Sequence, residues 1–150
     1  DQVYRRSLYV FWRRIVGPPM FFNAAKRQAC QVKVPRTNTP LHALTTLNEP
    51  LFVESARAMA ERVLQREPDQ RIEYALQLVT ARKPDAAEHT FLRERLAEFV
   101  SLFSKDATAV TKLLAIGNSP ADKSIDATEH AAWTLLCSTL LNLDETQNKE

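Results

Sequence analysis

From residue 39 onward, apolar residues return every three to four positions, the period of a helix with one buried face. Thr39-Pro40 reads as N-cap and first helical residue, since Thr offers an acceptor oxygen and Pro has no N–H to leave unpaired. The helix it opens carries Leu41, Leu44 and Leu47, and Asn48-Glu49-Pro50 announces a second. There Phe52, Ala56, Met59 and Val63 form a stripe widened by Val53, Ala60 and Leu64. Glu54, Arg57, Glu61, Arg62 and Arg66 fall on the side predicted to face water. Glu67-Pro68-Asp69 breaks the pattern, and Asp69 is expected to cap a third helix bearing Ile72, Ala75, Leu76 and Val79.

The break at Ala81-Arg82-Lys83-Pro84-Asp85 precedes a longer helix with Leu92, Leu96, Phe99 and Phe103 on one face. Asp106 predicts a short helix through Ala107, Val110 and Leu114, stopped by Gly117. Asn118-Ser119-Pro120 leads to a last helix from about Asp126, with Trp133, Leu136, Cys137 and Leu140 inward. The polar tail from Asp144 is expected to fray.

The first 38 residues are less regular. Leu8, Trp12 and Ile15 share a helical face, flanked by Arg5, Arg6, Arg13 and Arg14, but Leu8-Tyr9-Val10-Phe11 also fits a strand. Gly17-Pro18-Pro19 ends that element, and an irregular stretch follows to residue 38. The expected class is all-α: an irregular bundle of six or seven helices with a long, partly irregular N-terminal arm. The divisions are 1–38 for the arm, 39–143 for the helical core and 144–150 for the tail. With only 2 Gly in 150 residues, an all-β fold would lack its turn residues. The chain opens on Asp1 without Met, so we expect it to be a piece of a longer protein. Its apolar runs fall far short of the roughly 20 residues of a membrane helix, so no membrane insertion is expected.

Charge changes the picture at one end. The net charge is +2, but residues 1–40 carry eight bases and one acid, and the remainder twelve bases and seventeen acids. A basic arm interleaved with Tyr4, Tyr9 and Trp12 suits nucleic acid or another polyanion. It equally suits arginines whose stems cover an apolar ridge that docks on protein. We favour docking through Arg5, Arg6, Tyr9, Trp12, Arg13 and Arg14, and place nucleic-acid binding last.

Candidate chemistry is sparse. Glycine-rich phosphate loops, nucleophile elbows, metalloprotease motifs and haem-attachment motifs are all missing from the sequence. His42, His89 and His130 lie far apart without ligand spacing, so we read them as surface residues and expect neither metal nor cofactor. Glu94 and Glu98, beside Arg93 and Arg95, read as a solvated face. Cys137 lies in an apolar stripe and reads as a buried thiol, although a bridge to Cys30 stays open in an exported protein. The densest polar cluster is Arg36, Thr37, Asn38 and Thr39, with His42 one turn on. It is either a set of turn and cap bonds or an anion site at a helix N-terminus.

That cluster also carries a resemblance. Arg5-Arg6-Ser7-Leu8-Tyr9, Trp12-Arg13-Arg14, Pro18-Pro19 and Cys30 precede Arg36-Thr37-Asn38-Thr39-Pro40-Leu41 and Leu47-Asn48-Glu49-Pro50. Ala81-Arg82-Lys83-Pro84, Glu88, Ala131-Ala132-Trp133 and Leu141-Asn142-Leu143-Asp144-Glu145 complete the set. Together they resemble the C-terminal domain of unknown function in large, exported planctomycete proteins, in which a cytochrome-c-like domain often lies elsewhere in the chain. His42 stands where that pattern usually carries Gln. The resemblance implies that this is the C-terminal fragment of a parent protein that is exported or in the cell envelope, and implies no activity. The expected function is therefore a non-catalytic structural or interaction module that docks on other domains of its parent. The alternative is an accessory part of an envelope enzyme acting on an anionic polysaccharide or in redox chemistry.

Overall fold

The computed structural model describes residues 40–147, and of Leu41 and His42 it describes only the backbone. The described residues form seven α-helices and no strand: α1 (Pro40–Asn48), α2 (Pro50–Leu64), α3 (Arg71–Thr80), α4 (Ala86–Phe103), α5 (Ala107–Leu114), α6 (Ala127–Leu141) and α7 (Asp144–Gln147). The predicted all-α class is what these residues adopt.

The order follows from local signals. Pro50 opens α2 at a position whose missing N–H costs nothing, and Pro40 is the first described residue of α1, whose expected cap Thr39 lies outside the described residues. Asp85, Asp106 and Asp126 cap α4, α5 and α6, each accepting from the backbone N–H three residues on, at 2.7, 2.9 and 2.9 Å. At α4 the bond is returned, because the Glu88 carboxylate accepts from the Asp85 N–H at 2.9 Å and completes a capping box. Asp69 does not cap α3 as expected. Pro68 starts a 3-10 turn over Pro68–Gln70, and Asp69 lies inside it, so Gln70 becomes the N-cap without a side-chain bond. Ala81 closes α3 in the left-handed region, φ 62°, a role glycine usually fills.

α6 is the axis of the fold. It is buried on every side, through His130, Ala131, Ala132, Trp133, Thr134, Leu136, Cys137, Ser138 and Leu140, as expected of a helix surrounded by others. Trp133, Leu136, Cys137 and Leu140 pack with Ala56, Met59, Ala60 and Val63 of α2 and with Ile72, Ala75 and Leu76 of α3. Leu92 of α4 joins them, with Leu96 and Phe99 alongside. Ala131 and Ala132 face Phe103 and Val110 in a second cluster that seats α5. Cys137 is a free thiol, and burial pushes its pKa up to about 12, so it stays protonated.

Of the tail expected from Asp144, residues 144–147 form the turn α7, and 148–150 lie outside the described residues. The Arg82 guanidinium, in the α3–α4 joint, donates to both Glu88 oxygens at 2.7 Å and both Glu145 oxygens at 2.8 Å. This fork spans the start of α4 and α7, and Arg82 holds the Glu88 carboxyl down to about 2. Thr146 adds a bond to the Leu140 carbonyl at 2.9 Å.

Candidate functional site

The strongest departure from the sequence reading lies on α2. Glu54 and Arg57, expected on its wet side, are 4% and 2% exposed. What covers them is the long α5–α6 joint. Arg57 donates to the Leu114 carbonyl at 2.6 Å, to the Ser119 carbonyl at 2.5 Å and to Ser119 Oγ at 2.9 Å. Glu54 accepts from the Asn118 N–H at 3.1 Å, the Ser119 N–H at 2.7 Å and the Ser119 hydroxyl. The two charges are 3.8 Å apart along the helix. A buried ion pair persists only when its remaining donors and acceptors are filled, and here loop backbone fills them.

Gly117 makes this approach feasible. Its φ is +102°, and a Cβ there would lie 2.6 Å from the Glu54 carboxyl carbon. One turn further along α2, Glu61 Oε1 accepts from the Asp122 N–H at 3.2 Å. Positions 54, 57 and 61 thus form one stripe that grips the joint at three successive points.

His130 lies beneath the same joint. It was expected at the surface, yet it is fully buried. Neither ring nitrogen makes a hydrogen bond of good geometry among the described residues, although the Arg57 main chain lies close enough to interact. Glu61 Oε1 is 3.5 Å from Nε2, and its charge and the Arg57 main chain favour the protonated ring. Burial outweighs both and holds the His130 pKa below its ordinary value.

A second polar feature is a shallow cleft lined by Arg66, Gln70, Glu73, Tyr74, Gln77 and Lys83. Arg66 stacks over the Tyr74 ring at 4.4 Å and lowers the pKa of its hydroxyl by hydrogen bonding. Lys83 pairs with Glu73 at 2.8 Å. The groups of the cleft therefore largely satisfy one another. Glu94 and Glu98 are exposed as expected, with Arg95 donating to Glu98 at 2.7 Å. Among the described residues no group of three or more His, Cys, Asp and Glu is arranged to hold a metal.

The other site residues proposed from sequence are not reached. Arg36, Thr37, Asn38 and Thr39 lie outside the described residues, as do Arg5, Arg6, Tyr9, Trp12, Arg13, Arg14 and Cys30. His42 falls in the first turn of α1, but its side chain is likewise outside what is described. Glu54 and Arg57 escaped the sequence reading because i, i+3 opposite charges look like any solvated helix face. The one available signal was Gly117, one of two glycines in the chain, followed by Asn-Ser-Pro.

The family model for PSD1, a protein of unknown function (DUF1553), matches residues 1–96. The chain belongs to this family. The match takes in α1, α2 and α3 and ends within α4, whereas α5, α6 and the gripped joint lie beyond it. No curated protein and no solved structure matches the chain.

Proposed function

We propose that this member of the PSD1 family is a non-catalytic helical module that docks on other domains of its parent protein, itself exported or in the cell envelope. The observation that carries the reading is a group of large apolar side chains left in water where the described helices begin. Leu44, Leu47 and Leu51 are 60%, 42% and 41% exposed, on α1 and the first turn of α2. On the opposite side of α1, Thr46 donates to the Asn142 side chain at 2.6 Å, so the helix is seated by one face and presents the other. Meanwhile the buried charges, Glu54 and Arg57, bond to the protein's own backbone, as structural groups do.

Binding of the chain to random DNA, random RNA and heparin across a salt series tests this against the polyanion alternatives. Docking predicts no micromolar binding to DNA or RNA at physiological salt. Tight, steeply salt-dependent binding to DNA or RNA that is lost when Arg5, Arg6, Arg13 and Arg14 are together changed to Ala would overturn it. Binding to heparin alone would favour an anionic polysaccharide as the ligand.

A further inference from the structure

We propose that His130 is an acid-operated latch: protonating its imidazole releases the second half of the α5–α6 joint, residues 120–125, while Glu54 and Arg57 hold the first half in place. The geometry has three parts. The ring is fully buried, and neither nitrogen makes a well-formed hydrogen bond among the described residues: the Arg57 main chain and Glu61 Oε1, 3.5 Å from Nε2, stand beside it without good geometry. The charged groups that face it are Arg57 and Glu61 from α2 and Asp122 from the joint. Glu61 is shared, since the oxygen that lies 3.5 Å from Nε2 also receives the Asp122 N–H.

A neutral ring with poorly bonded nitrogens is already costly to bury, and a charged ring costs more, because burial removes its water and the Arg57 guanidinium repels it. Glu61 is the nearest carboxylate, at 3.5 Å, and Asp122 adds a weaker attraction that opposes release. Turning fully to the charged ring costs Glu61 its tether, the bond to the Asp122 N–H. That tether is a lone hydrogen bond between groups near the surface, whereas Asn118 and Ser119 are held by several bonds to buried partners. The joint therefore gives way after Ser119, and water reaches the ring.

The sign follows from which form takes the proton. With the loop closed, His130 titrates below its ordinary value, and with it open, near about 6.5. The open form binds the extra proton, so the closed form is fully favoured above about pH 6.5 and loses ground as pH falls below it, by up to about tenfold per pH unit until the closed-state pKa is reached.

The test is an NMR titration of the isotope-labelled chain between pH 8 and 4. The account expects the His130 ring to titrate with a midpoint below 6.5, with the amides of Ala121, Asp122 and Ser124 shifting at the same midpoint and that of Ser119 staying still. His130→Gln should abolish the shared transition, and Glu61→Gln should move it lower. A ring that titrates at or above 6.5, or joint amides that ignore the ring's titration, would overturn the proposal. So would a Ser119 amide that moves together with Asp122, because the whole chain would then be unfolding. The wild-type ring and amides decide the matter even if His130→Gln fails to fold.

Discussion

At the scale of single residues, the decisive contacts are those of Glu54 and Arg57. Each is a charge taken almost wholly out of water, and each is compensated by the other and by the backbone of the α5–α6 joint. Removing one partner leaves the other charged, buried and short of bonds. Arg57→Met should thus cost about 3–5 kcal/mol, as breaking a buried pair does. Replacing both partners with apolar residues of similar size should cost clearly less than the two single changes added together, because no orphaned charge remains. Urea unfolding of the four species measures this. A loss below about 1 kcal/mol in Arg57→Met would mean that water reaches the site and the pair is a surface bridge. Glu88 and Arg82 bond with comparable geometry but stand in solvent, and we assign them orientation of the joint and little stability.

At the scale of elements, α6 shows why the core was legible. Trp133, Leu136 and Leu140 recur at helical spacing, and all three are 3% exposed or less, with Phe99 packed alongside. Leu136→Ala should cost about 2–5 kcal/mol, and a measured change below about 1 kcal/mol would remove this face from the core. Helix starts were equally legible where local signals decide them: the proline at Pro50 and the caps at Asp106 and Asp126. Asp69 failed because Pro68 and Asp69 also favour a tight turn, and the 3-10 turn took the cap's place. Glu54, Arg57 and His130 failed for a different reason. Their burial comes from a joint more than 60 residues away in the chain, in the case of the α2 pair, and periodicity within one helix carries no information about what crosses it. The helical turn Asp144–Gln147 was not foreseen for a similar reason, because the Arg82–Glu145 pair that meets it is a tertiary contact.

At the scale of the molecule, α6 is encased by the other helices, yet large apolar groups remain outside. Phe91 and Leu102 are exposed on α4, and Leu44, Leu47 and Leu51 at the start of the described helices. Scattered apolar residues are ordinary on protein surfaces, but three large leucines within eight positions, two of them on a helix whose opposite side is seated, are a concentration of exposed apolar groups. In the docking account, these leucines meet another domain of the parent protein. The direct measurement is hydrogen–deuterium exchange of the full-length parent protein against the same protein carrying Leu44→Glu and Leu47→Glu. Both positions are exposed, so the helices of this module should keep their protection. The account predicts faster exchange in a defined surface of a neighbouring domain. Unchanged exchange everywhere outside the module would contradict it.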